Sequence, residues 1–157
     1  MEQLLHYVWK HKLFPLKPLH TTTGQKVEII DPGLSNPDAG PDFFNAKIKL
    51  DGVIWVGNVE IHERASDWKR HHHDQDPTYD SVILHAASDI DAEVKRTNGE
   101  PIPQLELHYP PYLLENYQEL IQTSHYPACY RLIPHLSPFL LHSWLSSCLL
   151  YTSPSPR

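Results

Sequence analysis

The chain of 157 residues has little cysteine, a deficit of positive charge and no long apolar run. Its cysteines, Cys129 and Cys148, form no CxxC pair, which excludes a thiolate zinc site and a disulfide framework. Thirteen Lys and Arg against nineteen Asp and Glu give a formal charge of −6. Bulk electrostatics therefore works against holding a phosphate backbone, and nucleic-acid binding would need a local basic stripe. No stretch approaches the roughly twenty apolar residues of a membrane span. The start, MEQLLHYVWKHKLF, is amphipathic and broken by His and Lys, unlike a signal peptide. The expectation is a soluble, cytoplasmic protein with no membrane partner. GxSxG, P-loop, dinucleotide-fingerprint and HExxH motifs are all absent. Nothing beside Cys129, in HYPACYR, marks it as a catalytic thiol.

Histidine is what the chain has in excess. There are twelve, with His71, His72 and His73 consecutive. Residues 2–14 suit a helix with Leu4, Leu5, Val8, Trp9 and Leu13 on one stripe, ended by Pro15 and Pro18. Lys26 to Ile30 reads as a β-branched strand, followed by a loop from Asp31 to Asp42 rich in Gly, Pro and Asp.

The clearest local signal is a hairpin. FFNAKIKL and VIWVGNVEIH flank Asp51-Gly52, a two-residue turn pair. Pairing outward from it sets Leu50 against Val53, Ile48 against Trp55, Ala46 against Gly57 and Phe44 against Val59. That gives one apolar face and one polar face ending at Glu60 and His62. Ser66 to His73 reads as a helix capped by Ser66 and closed by Pro77. SVILHAA, Ser81 to Ala87, suits a central buried strand. Val94 to Thr97 and Ile102 to Leu107 form a second hairpin about Asn98-Gly99, its later strand confined to an edge by Pro101 and Pro103. Pro111 to Thr123 and a segment capped by Ser137-Pro138 read as helices. Trp9, Trp55, Trp68 and Tyr79 read as core. The fold class is α/β, mixed α+β. A core domain spans 1–109, a helical extension 110–147, and the last ten residues, 148–157, stand apart.

Glu60 and His62 are two apart on one strand, so both project from the same face. With Asp42 at the mouth of the partner strand they make a donor set for Mg²⁺ or Mn²⁺, or for Zn²⁺. Such an ion would polarise a phosphoryl oxygen and activate water near neutral pH. The competing reading is the solvated polar face of an edge strand. Strict pairing, moreover, puts Asp42 opposite Ile61 on the apolar face. A one-residue bulge, at Gly57 or just after Asp42, is required to turn it round. In the second cluster, His72 shares a helix face with Trp68, and His72 and Asp76 are the candidate ligands. His71 and His73 read as a solvated helix end, and His85 as a hydrogen-bonded core residue. Asn45, Lys47 and Asn58 are placed to orient substrate, and Asp31 and Asp38 as further ligands.

The layout Pro41-Asp42, strand, turn, Glu60-Ile61-His62 resembles the PD-(D/E)XK nuclease-like superfamily. The order helix, three-stranded meander, helix and strand fits the restriction-endonuclease-like core of that superfamily, here with an added hairpin and C-terminal helices. The resemblance implies that Asp42 and Glu60 bind metal and that His62 stands where the superfamily usually has Lys. The segments LLHYVWKHKLFPL, VGNVEIHERASDWKRHHHDQDPTYDSVILHAA and TNGEPIPQL are similar to a bacterial domain-of-unknown-function family whose members are considerably longer. That implies a missing C-terminal region as a partner. The tail CLLYTSPSPR resembles a translated sequencing adapter and is set aside from the fold. Three functions follow: a metal-dependent phosphodiesterase acting on nucleic acid through Asp42, Glu60 and His62; a non-catalytic binding module; and a structural zinc domain built on His62, His72 and Asp76.

Overall fold

The computed structural model describes residues 2–15, 17–122 and 133–152. Thr123, the HYPACYR segment with Cys129, and residues 153–157 lie outside the described residues. The chain forms two compact units, residues 1–113 and 114–157.

The first unit opens with α1 (Glu2–Lys10), which buries Leu4, Leu5, Val8 and Trp9. This helix stops earlier than its apolar stripe predicts, and the reason is local. Lys12 takes a left-handed φ of 52°, while Lys12 N–H donates to Trp9 O and Leu13 N–H to Val8 O. That is a Schellman cap, built on Lys12 in place of the usual glycine. The Lys12 ammonium then donates to the carbonyls of Ile29 and Ile30, tying the cap to the sheet.

Seven strands follow: β1 (Leu19–His20), β2 (Lys26–Asp31), β3 (Leu34–Ser35), β4 (Phe43–Leu50), β5 (Val53–Arg64), β6 (Val82–Asp89) and β7 (Gln104–Glu106). They form one mixed sheet of order β1-β2-β4-β5-β6-β7, with β3 also on β4. The run β2-β4-β5 is antiparallel, whereas β5-β6 and β6-β7 are parallel. Between β5 and β6 the chain crosses over through α2 (Asp67–Arg70) and two short 3-10 turns. The second hairpin survives only as its Asn98-Gly99 turn and a bridge from Lys95 to Pro101, because Gln104–Glu106 pairs with β6 instead. One core cluster sets Leu5 and Trp9 against Phe43, Ile48, Val59, Ile61, Leu84 and Leu105. A second gathers Ala65, Trp68, Tyr79, Val82, Val94 and Ile102.

The Asp51-Gly52 hairpin pairs as predicted from Leu50↔Val53 to Ala46↔Gly57, and then shifts so that Phe43 faces Val59. The extra residue lies at Phe44-Asn45, where Asn45 is left-handed with φ 55°. The required bulge is therefore in β4 between Phe43 and Ala46, soon after Asp42 and not at Gly57. Asn58 braces it: its Oδ1 accepts from Asn45 N–H and its amide donates to Ser81 Oγ. The bulge keeps Phe43 on the core side and turns Asp42 toward the face of Glu60.

Trp55 corrects the core assignment. It is 50 % exposed, and Val53, Ile54 and Val56 are uncovered with it, because β6 begins its pairing only at Asn58. At Gly57 an added Cβ would stand 2.4 Å from Ile83 Cγ2 and 3.0 Å from Ser81 O. A stiff β-branched neighbour and a backbone carbonyl give little room. Gly57→Ala is expected to cost about 1–3 kcal/mol, read by urea denaturation; an unchanged midpoint would mean that β5 and β6 part easily there.

In the second unit α3 (Pro111–Gln122) continues from the first, and α4 (Pro138–Thr152) begins where Ser137 Oγ accepts from Leu140 N–H. The predicted cap is thus present, and α4 runs on past Ser147. No described helix is long and apolar enough to cross a membrane.

Candidate metal centre

Glu60 and His62 project from β5 on the face opposite Val59 and Ile61, and both are buried. Two hydrogen bonds lock Asp42 against Glu60. Asp42 N–H donates to Glu60 Oε2 at 3.0 Å, and Ile61 N–H donates to Asp42 Oδ2 at 2.8 Å. One oxygen of each carboxylate is thereby spoken for. His6, on α1, places Nε2 3.3 Å from Asp42 Oδ2.

The histidine run begins at a helix end, with the exposed His71 as the C-cap of α2, but it does not continue as a helix. α2 is a single turn, His72 is left-handed at φ 62°, and a 3-10 turn starts at His73. This reversal brings His71 and His73 to one side and leaves His72 exposed. His62, His71 and His73 each offer a ring nitrogen, all within 4.8 Å of one another. His62 Nε2 lies 3.2 Å from His71 Nδ1 and 3.6 Å from Glu60 Oε1, and His73 Nε2 lies 3.2 Å from Glu60 Oε1. His73 is fixed by stacking on Tyr79 at 3.7 Å and by the edge of Trp68.

Burial dominates the electrostatics. It holds His62 at a pKa of about 2, helped by the neighbouring His85, His73 and His71 rings, and His85 at about 3. Both rings are neutral at pH 7. Burial also raises Glu60, with the Asp42 charge adding and the His73 hydrogen bond opposing. For His6, burial opposes the charge, but Asp42 outweighs it and the pKa is raised. Burial and the Glu60 charge push Tyr79 up to about 12.

A cleft of about 280 Å³ opens on this cluster, lined by Glu2, Asp38, Asp42, Glu60 and the three histidines among others. Larger hollows of about 530 and 430 Å³ lie elsewhere and contain no histidine. Neither brings histidines and carboxylates together, as the smaller cleft does.

Of the sequence candidates, Asp42, Glu60 and His62 meet at this cleft, and Asp38 reaches its rim. The others lie apart. His72 points to solvent because of its left-handed backbone. Asp76 caps the following turn by accepting from Thr78 N–H, and that bond holds its carboxyl below the usual range. Asp31 accepts from Gly33 N–H. Asn45, Lys47 and Asn58 do not line the cleft. The residues that sequence reasoning passed over are His71, His73 and His6. In the sequence His71 and His73 read as a solvated helix end, and no periodic pattern announces a left-handed residue between them.

The family model described as "Protein of unknown function (DUF2851)" matches residues 2–152. The chain belongs to this family. The domain-of-unknown-function resemblance carried by GNVEIH and the SDW-to-ILH stretch is thereby established over nearly the whole length. Searches of the curated proteins and of the solved structures returned no match for this DUF2851 chain.

Proposed function

We propose that this DUF2851 domain is a metal-dependent hydrolase of phosphodiester bonds, its metal held by His62, His71, His73 and Glu60. The observation that carries the reading is the convergence of three imidazoles and a carboxylate at the mouth of a cleft. A tetrahedral ion with Zn–N bonds of about 2.0–2.1 Å sets its ligand atoms about 3.3 Å apart. Three of the six separations, 3.2, 3.2 and 3.6 Å, are near that spacing, and the three histidine nitrogens lie within 4.8 Å of one another. The donor set is imidazole-rich, which favours Zn²⁺ over Mg²⁺. Structural zinc sites are closed by four protein ligands, whereas catalytic ones keep a position for water, sometimes by becoming five-coordinate; with four ligands here, that further position would lie in the cleft beside the exposed His71.

The reaction class rests on layout. A helix, an antiparallel trio β2-β4-β5, a helical crossover and the parallel β6, with Asp42 before one strand and Glu60-x-His62 on the next, resemble the PD-(D/E)XK layout and support this reading. His62 differs from the superfamily Lys in kind. Held neutral, it serves as a ligand and supplies no fixed positive charge. Bound there, a divalent ion supplies Lewis acidity toward a phosphoryl oxygen and toward water. Asp42 borders the same space and keeps one oxygen free to orient water. The lining holds Glu2 and Asp38 and no Lys or Arg, so attraction of a phosphodiester rests on the ion alone.

The test is equilibrium dialysis against Zn²⁺, Mn²⁺ and Mg²⁺, followed by hydrolysis of bis(p-nitrophenyl) phosphate and of single-stranded DNA. Zinc should bind tightest, and hydrolysis should require it. Because His71 is exposed, His71→Ala should leave the melting temperature in place. It should weaken zinc by more than the roughly 100-fold that loss of an outer-shell partner costs. Hydrolysis that ignores chelator, or that is equal in His71→Ala, sinks the reading. Tight zinc without hydrolysis leaves a structural zinc domain.

A further inference from the structure

We infer that His85 is a positioning residue for the metal centre: its Nε2 accepts the Nδ1 proton of His62 and so leaves the His62 Nε2 lone pair facing the ion. This rests on the metal-centre reading above and concerns a residue that does not itself touch the ion.

β5 and β6 run parallel, with Glu60 in register with His85. That pairing puts His85 on the face shared by Glu60 and His62. His62 Nδ1 and His85 Nε2 stand 2.9 Å apart, both rings buried, and the edge-on Trp68 packs against His85 at 5.5 Å. Only one proton can occupy that hydrogen bond, and each neutral ring carries one proton. Two arrangements are possible. If His62 donates, its Nε2 is bare and directed at His71 Nδ1 and Glu60 Oε1. If His85 donates, His62 carries its proton on Nε2, where a ligand lone pair is needed. An ion at His62 Nε2 selects the first arrangement.

The first arrangement has a cost that identifies its purpose. It places the single His85 proton on Nδ1, and that atom is buried with no hydrogen-bond partner among the described residues. A residue kept for packing alone, fully buried beside Leu84 and Ala86, would be better apolar, since an apolar group leaves no orphaned donor. Histidine at this place is explained by what it does to His62. Metal-bound histidines commonly have their second ring nitrogen held in this way, which fixes tautomer and ring orientation.

The experiment measures zinc affinity by competition with a chelating dye, together with the melting temperature of the zinc-free protein. His85→Leu should lose roughly 10- to 100-fold in zinc affinity while the zinc-free melting temperature stays level or rises. His85→Gln, whose amide oxygen reaches the Nε2 position, should remain within a few fold of the parent. His85→Asn, whose amide reaches only the Nδ1 position, should resemble Leu; this Gln–Asn contrast carries the test should the Leu variant fold poorly. Zinc affinity unchanged in both Leu and Asn overturns the inference. So does a loss shared equally by Gln and Asn alongside a lowered melting temperature, which would mark a packing role. A parent chain that does not bind zinc overturns the metal centre itself, and the positioning role with it.

Discussion

Taking the metal-free protein from pH 7 to pH 5 is expected to remove stability at about 2 kcal/mol for each of two buried histidines, about 4 kcal/mol together. His62 and His85 titrate near 2 and 3 in the folded protein, against about 6.5 in the unfolded chain. Below pH 6.5 the unfolded chain therefore takes up protons that the folded one refuses, and stability falls with pH until the folded pKa values are reached. Glu60 and His6 act the other way. Their folded pKa values are raised, so on acidification each takes its proton first in the folded state and offsets part of the loss. Domains of this size hold about 5–15 kcal/mol in all, so the loss is visible in urea unfolding at pH 7, 6 and 5 with chelator present. A flat profile would mean that water or a cation reaches the two rings.

Glu60→Gln should separate the chemical role of that residue from its structural one. The amide oxygen can still accept from Asp42 N–H, so the contact that orients β4 against β5 survives. What disappears is a buried charge beside His62 and His73. The zinc-free protein should keep or gain stability, while zinc affinity drops more than about 100-fold, beyond an outer-shell effect, and hydrolysis falls to background. Glu60→Ala should also lose about 1–3 kcal/mol, because it orphans the Asp42 amide. Isothermal titration with zinc and thermal melts of both variants decide the matter. Parent-like zinc binding in Glu60→Gln would take Glu60 out of the centre.

Much of the fold is legible because it follows from period and turn chemistry. Asp51-Gly52 sets the β4–β5 register from its tip, and the alternation of Ala46, Ile48 and Leu50 names the buried face. The run Val82 to Ala87, apolar but for His85, marks the buried strand β6. Residues whose conformation goes against their type are not legible. Lys12 ends α1 in a left-handed cap that a lysine gives no sign of, and Asn45 hosts the bulge through a single positive φ. Trp55 sits at a core-facing position of the hairpin, yet among the described residues no strand or helix extends far enough to cover it.

The candidate site shows the same division. Glu60 and His62 follow from strand periodicity, and the need for a bulge at Asp42 follows from counting along the hairpin. His71 and His73 could not be found that way. In a continuous helix they would diverge by about 200°, and only the left-handed His72 folds them back together. The expectation for His85 holds: it is a buried, hydrogen-bonded histidine, and the group it bonds is the His62 ring.

The register of Glu60 with His85 also has a consequence in time. Of the proposed ligands, Glu60, His62, His71 and His73 all leave the ribosome before β6 does, so Glu60 and His62 can pair onto β4 while His71 and His73 still lie on an undocked crossover. Parallel pairing is a non-local step that follows closure of the crossover. A free cation met during synthesis would find two ligands on a strand and two on a loose crossover, and the defined centre would come into being only when β6 docks.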